Sequence, residues 1–210
     1  MQVPVDRNRS VVDGIARGNR RRRAGHRSCC SEDFGPSASC LVVEMNNRPT
    51  VYRCEVRDVR FGTGVKIVEP VNLYGCDIDN DCFVGPFVEI QAGVNIGART
   101  RVQSHCFVCE LVEIGEDCFI GHGVMFINDT FKTGGPARGC KHLWRATRVG
   151  NHVSIGSNAT ILPVTICDYV VIGAGAVVTR DIDRVGIYVG NPARFLRSIN
   201  GTALARQQAR

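Results

Sequence analysis

Two histidines in the middle of this 210-residue chain have the residue type and the surroundings for acid–base chemistry. His105 and His122 lie close in sequence to Glu110, Asn128 and Asp129. An imidazole titrates near neutral pH, which makes His105 a candidate general base. A histidine can also be a plain left-handed turn residue. Which role applies depends on the elements that hold these side chains.

The elements are indicated by a repeat of six residues. An apolar residue returns every six positions from Phe61 to Phe126 and again from Val149 to Val178, with one step of five in each stretch. Neither a helix nor a long strand has this period, whereas short strands separated by turns do. The repeat predicts an all-β fold. We expect a parallel β-helix in which three hexads form a triangular coil and equivalent residues of successive coils stack. The repeat resembles that of the known hexapeptide proteins, and this resemblance implies a left-handed parallel β-helix.

This stacking brings the two histidines to one corner of the coil. His105 is third after the apolar residue Val102, and His122 is second after Ile120, so we expect them in one column on neighbouring coils. Small corner residues let a long, thin ligand lie close to the backbone and use its polar groups. The next corner carries Glu110, followed one coil further on by Asn128 and Asp129. Small residues continue the histidine column, namely Ser157, Asn158, Ala174 and Gly175.

A long insertion interrupts the repeat between Phe126 and Val149. We assign the loop to residues 129–147, which contain Lys141 and the single tryptophan, Trp144. Loops of this length in a compact domain are usually functional or disordered. The basic and aromatic residues suit a phosphate and a flat ring. The alternative is a solvated excursion that closes a contact between subunits.

The chain has 11 cysteines, and the repeat accounts for several of them without chemistry. Cys82, Cys106 and Cys118 fall on the small inward position, where a cysteine packs as an apolar residue. Cys109 and Cys167 fall on outward positions, and a catalytic thiol at Cys109 is an open alternative. No CxxC spacing suitable for a metal occurs, and no metal is predicted. The alternative to this prediction is that the two stacked histidines, His105 and His122, bind zinc in a trimer.

The net charge of +6 is divided unequally, because residues 1–44 carry half of it and include the run from Arg20 to Arg23. This stretch has no strand or helix periodicity, and we predict a disordered basic tail. A second hypothesis is that the true start is Met45, and a basic arm for RNA or acidic lipid is a third. We expect residues 45–198 to form the β-helix domain and residues 199–210 a C-terminal tail. The chain has no signal peptide and no apolar run of about 20 residues, so we predict a cytoplasmic protein without a membrane span.

Five segments together resemble the nucleotide-sugar N-acyltransferases of the left-handed β-helix superfamily. The likeness is greatest to dTDP-3-amino-3,6-dideoxyhexose 3-N-acetyltransferases and to UDP-2,3-diaminoglucuronate N-acetyltransferases. The assignment to this subfamily depends on two stretches, Gln103-Ser104-His105 and Phe126-Ile127-Asn128-Asp129. The whole resemblance extends over residues 50–198. The five segments are residues 102–110, 119–129, 153–163, 172–179 and 189–194.

The resemblance implies an acetyl-CoA-dependent N-acetyltransferase that acts on a nucleotide-linked amino sugar in surface-polysaccharide precursor synthesis. It also implies a homotrimer with its sites between neighbouring subunits. His105 would be the catalytic residue, although some relatives have asparagine there and are thought to work without a protein base. The substrate would lie near Glu110, His122, Asn128, Asp129, Lys141 and Trp144. Acetyl-CoA would lie along Ser157, Asn158, Ala174 and Gly175, with Arg194 and Arg197 as partners for its phosphates.

Three other interpretations stay open at this point. An O-acetyltransferase would use His105 to activate a hydroxyl, which needs a base more than an amine does. A non-catalytic β-helix scaffold is disfavoured by the long loop and the corner histidines. A nucleic-acid binder is disfavoured because the repeat region has no stripe of basic and aromatic residues.

Overall fold

Short parallel strands stack into a three-sided solenoid in the computed structural model, which describes residues 53–199. The predicted fold class is confirmed: the solenoid has about 7 turns and matches a hexapeptide-repeat left-handed β-helix. The predicted tail at residues 1–44 and the proposed start at Met45 lie outside the described residues. So does the predicted tail at residues 199–210, except for its first residue.

Each side of the solenoid is one sheet, which we call face A, B or C, and all strand pairs are parallel except the last pair of face C. Face A contains β1 (Val56–Arg57), β4 (Asn72–Tyr74), β7 (Glu89–Ile90), β10 (Phe107–Val108), β13 (Met125–Phe126), β16 (Thr160–Ile161) and β19 (Val177–Val178). Face B contains β2 (Arg60–Phe61), β5 (Asp77–Ile78), β8 (Asn95–Ile96), β11 (Val112–Ile114), β14 (Thr147–Val149) and β17 (Thr165–Ile166). Face C contains β3 (Lys66–Ile67), β6 (Phe83–Val84), β9 (Arg101–Val102), β12 (Phe119–Ile120), β15 (Ser154–Ile155), β18 (Val170–Ile172), β20 (Gly186–Val189) and β21 (Arg194–Arg197).

The period of six places one aliphatic side chain of each strand in the interior. Val102, Ile120 and Ile155 are aligned in register on face C and are fully buried. Each strand is too short to bury a core alone, so neighbouring coils must stack to remove these side chains from water. The solenoid interior is therefore one continuous apolar column, and the polar residues are left at the corners.

The corners are tight because one residue in most of them has a left-handed backbone. His105 (φ 63°), Asn158 (φ 59°) and Gly175 (φ 67°) hold this position at the corner between faces C and A, called corner CA. Their N–H groups donate to carbonyls of the preceding coil, as in the bond from Asn158 N–H to the His122 carbonyl at 2.8 Å. The corners therefore hold successive coils in register and project side chains outward from fixed positions.

The cysteines at the small inward position are packing residues, as predicted. Cys106 and Cys118 are buried, and their thiols lie 3.0 Å and 3.1 Å from the carbonyl oxygens of Gly121 and Gly150. Burial raises the pKa of each of these two thiols to about 11. The outward position expected for Cys109 is wrong: its side chain packs in the core, and burial raises the pKa of its thiol to about 12. A catalytic thiolate at Cys109 is therefore disfavoured, because the thiolate is the nucleophile.

We expect brief alkylation of the native protein with iodoacetamide to separate these thiols into two groups. Cys54 and Cys140 are exposed and should react first, whereas Cys106 and Cys118 should react only after denaturation. The reason is that the buried thiols are inaccessible and their raised pKa values reduce the thiolate fraction near neutral pH. Peptide mass spectrometry measures the extent at each site. Equal rates for Cys118 and Cys140 would contradict the described packing.

A short antiparallel hairpin ends the described solenoid. β21 pairs with β20, and the Phe195 ring meets the Tyr188 ring edge to face at 5.5 Å. The connecting turn bonds back to face A, since Ala193 N–H donates to the Val177 carbonyl at 2.8 Å. The hairpin therefore covers the last coil next to corner CA. Between residues 53 and 199 there is no helix long and apolar enough to cross a membrane.

Candidate active site

Both candidate histidines lie at corner CA on neighbouring coils, as the repeat predicts. They do not form one column, because His122 occupies the corner position immediately before the left-handed residue, whereas His105 is itself the left-handed residue. The His105 ring packs on the exposed Phe87 ring, with 4.8 Å between centroids and 30° between planes. The left-handed turn role suggested for His105 is thus confirmed for its backbone, while its exposed imidazole stays accessible.

The His122 ring is held differently, by a side chain one coil below. The Ser104 hydroxyl lies 2.8 Å from His122 Nδ1. Ser104 stands 18 residues before His122, so the same register count that located the histidines identifies this pair. Sequence reasoning recorded Ser104 only as part of a motif and missed its contact.

Gly123 holds the left-handed position of its coil, between His105 on the coil below and Asn158 on the coil above. Gly123 follows His122 in the left-handed position (φ 67°), where most other residues are strained. A side chain added there would collide with the Asn158 amide oxygen. The Asn158 amide occupies the space that a side chain at Gly123 would fill, and His105 lies in the same position one coil below Gly123. We call His105, His122, Gly123 and Asn158 the histidine notch.

Above the notch, corner CA consists of small residues, as predicted. Ser157 is half-buried, and Ala174 and Gly175 are exposed. A side chain added at Gly175 would meet nothing within 4 Å, so the backbone there is open to a ligand. Arg194 and Arg197 lie on β21 at this end of the solenoid, with both side chains exposed. Each guanidinium contacts only nearby carbonyls in the described chain, at 3.0 Å for Arg194 and 3.5 Å for Arg197.

Glu110 and Asn128 meet at the corner between faces A and B, called corner AB. Asn128 Nδ2 donates to the Glu110 carbonyl oxygen at 3.2 Å, and Glu110 N–H donates to Gln91 Oε1 at 3.3 Å. Tyr74 lies near this corner, and its pKa is raised by burial and then by the negative charges of Glu89 and Glu110. Corner AB therefore carries an acidic, hydrogen-bonding surface. Sequence reasoning missed Tyr74, Glu89 and Gln91.

The inserted loop leaves from corner AB and folds back onto it. It runs between β13 and β14 as residues 127–146, so Thr147, assigned to the loop from sequence, is the buried first residue of β14. The loop contains one short 3₁₀ helix, η1 (Lys141–Leu143). Both oxygens of the Asp129 carboxylate accept loop N–H groups, from Phe131 at 2.9 Å and from Ala137 at 2.6 Å. The structure thus uses Asp129 to shape the loop.

Lys141 connects the loop to corner AB. Its Nζ atom lies 2.6 Å from Glu110 Oε2 and 5.7 Å from the centroid of the Trp144 ring. Exposed ion pairs of this kind contribute about 1 kcal/mol or less. Three of the predicted substrate-binding residues, Glu110, Lys141 and Trp144, are therefore linked through Lys141. The Lys141–Glu110 pair is one of the contacts between the loop and corner AB, together with the bond from Arg145 N–H to the Asn128 carbonyl at 3.0 Å.

The predicted site residues consequently form two groups in one chain. The histidine notch and the small residues above it lie at corner CA, whereas Glu110, Asn128, Asp129, Lys141 and Trp144 lie at corner AB or on its loop. One strand of face A separates them, because β10 runs between His105 and Glu110. Five residues of extended chain span about 16 Å. In the part of the chain that the structure describes, no three His, Cys, Asp or Glu side chains are grouped as metal ligands.

Comparison with known proteins supports the fold. Residues 146–180 match the family model described as the hexapeptide repeat of succinyl-transferase. The bifunctional protein GlmU of Synechococcus sp. (strain CC9311) is 28% identical over 166 residues, covering 78% of this chain and 34% of that protein. The chain therefore spans about a third of the length of this curated relative.

Two solved structures have the same coil. A hexapeptide transferase family protein from Anaplasma phagocytophilum superposes with a TM-score of 0.57 at 18% identity, covering 72% of this chain and 85% of that one. A point mutant of AntD, an N-acyltransferase from Bacillus cereus in complex with dTDP and coenzyme A, gives a TM-score of 0.55 at 19% identity, covering 73% of this chain and 87% of that one.

The class of protein follows from the strand register, the corners and the similarity to these solved structures. It is a parallel β-helix with one inserted loop. Within that class, the fold matches a hexapeptide-repeat left-handed β-helix.

Proposed function

We propose that this protein is an acyltransferase that moves an acetyl group from acetyl-CoA to the amine of a nucleotide-linked amino sugar. The observation that carries the proposal is the histidine notch. Two exposed imidazoles from neighbouring coils lie at corner CA beside Gly123 and Asn158, directly below a column of small residues. The exposed His105 imidazole thus supplies a proton-accepting group at one end of this column.

The small residues above the notch support a position for the donor at corner CA. Ser157, Ala174 and Gly175 leave the backbone accessible, so the extended arm of acetyl-CoA would lie along corner CA. Asn158 would lie beside the thioester end. Arg194 and Arg197, next to the last coil, would bind the phosphates, since guanidinium groups pair well with phosphate oxygens. The AntD structure, which holds coenzyme A in the same kind of coil, is consistent with this placement.

The polar and aromatic residues of corner AB and its loop support a position for the acceptor there. Glu110 and Asn128 offer hydrogen-bonding groups for a sugar, and Lys141 and Trp144 offer a cation and a ring for a nucleotide. Because face A separates this corner from the notch within one chain, a homotrimer would complete each site by bringing the loop of one protomer to corner CA of its neighbour. The proposed active form is therefore the trimer.

The reaction needs little covalent chemistry from the protein. The neutral amine attacks the thioester carbonyl carbon, so a C–N bond forms and the carbonyl oxygen becomes an oxyanion. His105 takes the proton from the attacking nitrogen. The C=O bond then re-forms, the C–S bond breaks, and the CoA thiolate takes a proton from the His105 imidazolium. Holding the two substrates together supplies much of the rate.

We expect acetyl-CoA to raise the melting temperature of the purified full chain. Binding at about one hundred times its Kd stabilises the folded state by about 2.7 kcal/mol. CoA should then be released only when a nucleotide-linked amino sugar is added, as measured by chromatography of the nucleotide products. The matched control is the same sugar with a hydroxyl in place of the amine. Absence of both the thermal shift and CoA release would instead support the scaffold interpretation.

Faster turnover with the hydroxyl control than with the amine would overturn the N-acyl assignment and favour O-acyl transfer. Static light scattering of the same sample measures the assembly, with three chains as the expected mass. A fully active monomer would contradict the shared site.

A further inference from the structure

The two histidines of the notch are held in different ways, and this difference indicates different roles. The His105 ring rests on Phe87, and neither of its nitrogens has a hydrogen-bond partner among residues 53–199. The His122 ring has one nitrogen engaged, because Nδ1 lies 2.8 Å from the Ser104 hydroxyl. His122 therefore presents Nε2 alone to a ligand.

The Ser104 contact bears on the tautomer of His122. The Ser104 hydroxyl carries one hydrogen, which it can donate to Nδ1. The neutral ring then carries its proton on Nε2 and is a hydrogen-bond donor there.

The positions of His122 and His105 on successive coils determine which ring lies nearer to the proposed acetyl-CoA site. The proposed acetyl-CoA channel passes Ala174 and then Ser157 on its way down corner CA. His122 lies one coil below Ser157, since Asn158 N–H bonds to the His122 carbonyl. His105 lies one coil below His122. An acyl group arriving along this channel reaches His122 before His105.

We propose that His122 is a catalytic residue that donates a hydrogen bond from Nε2 to the thioester oxygen, with Ser104 as the positioning residue that sets its tautomer. The inference rests on the proposed acyl transfer. When the amine attacks, the carbonyl electron pair moves to oxygen, and the Nε2–H group stabilises this oxyanion without giving up its proton. His105 exchanges the proton of the nitrogen, and His122 is unchanged at the end.

The test separates a donor from a base. We expect His122→Ala to lower kcat about 10²- to 10³-fold, the usual loss for one oxyanion donor. His122→Gln should recover most of that loss, because a glutamine amide has an N–H donor of similar reach but cannot act as a base. Ser104→Ala should lower kcat, and Ser104→Thr, which keeps a hydroxyl, should restore it. KM for acetyl-CoA and the melting temperature are measured for every variant.

Several results would overturn this assignment. Equal losses in His122→Gln and His122→Ala would indicate a base, and an unchanged kcat in His122→Ala would leave the oxyanion to backbone N–H groups. A change confined to KM would indicate a binding residue. If His122→Ala does not fold, the comparison of the glutamine variant with the two Ser104 variants still decides. Failure of the wild-type protein to release CoA would refute the proposed function itself, which is a distinct outcome.

Discussion

Replacement of His105 by alanine is expected to lower kcat for acyl transfer by about 10²-fold or more while leaving the fold intact. The His105 imidazole is exposed at the histidine notch, and it packs on the Phe87 ring rather than on polar groups. A general base must be reached by the acceptor nitrogen, and this ring is accessible for that purpose. Steady-state rates at saturating acetyl-CoA and acceptor measure the effect.

His152→Ala is a matched control for this substitution. His152 also has a left-handed backbone (φ 56°), and its ring stacks on Tyr169 with 4.7 Å between centroids. It lies at the corner between faces B and C, away from the notch. The two variants share the backbone strain and the lost ring contact, so only His105→Ala should lose activity. An unchanged kcat with a raised KM would make His105 a binding residue.

The second large effect concerns stability. We expect Phe126→Ala to lower the free energy of unfolding by about 3–5 kcal/mol, the usual cost of removing a buried phenylalanine ring. Phe126 has 0% relative exposure and is the largest of the fully buried side chains. It lies on the last strand before the loop, where the core must remain closed although the chain departs from the repeat. Denaturant titration of the full chain measures the loss.

Phe119→Ala is the matched control, because Phe119 occupies an outward strand position and is 42% exposed. Phe119→Ala should lower the free energy of unfolding much less than Phe126→Ala does, because the Phe119 ring buries less apolar surface in the folded protein. Equal losses from the two variants would contradict the assignment of inward and outward positions.

Much of this architecture was predictable, because the inward position of each hexad is set by the period. Val102, Ile120 and Ile155 were expected to stack, and they do. Cys106 and Cys118 were expected to be packing residues for the same reason, and both are buried. The period also brought His105 and His122 to one corner on neighbouring coils.

The details of the candidate site were less predictable. The expectation of one histidine column was wrong, because a shift of one position within the turn moves a side chain to the neighbouring column. Cys109 was expected to face outward, yet it packs in the core where the chain turns at corner AB. The contact of Lys141 with Glu110 spans 31 residues across a loop without a repeat, so no register count could have located it.

The sequence by itself therefore determined the coil, its register and the corner that holds both histidines. These follow from local rules, since each hexad buries one side chain and stacks on an equivalent hexad. Only the tertiary structure decided that Ser104 holds His122, that Phe87 supports His105, and that Asp129 shapes the loop. Such contacts depend on side-chain directions at tight turns and on how a non-repeating loop folds back, and neither is encoded in a period of six.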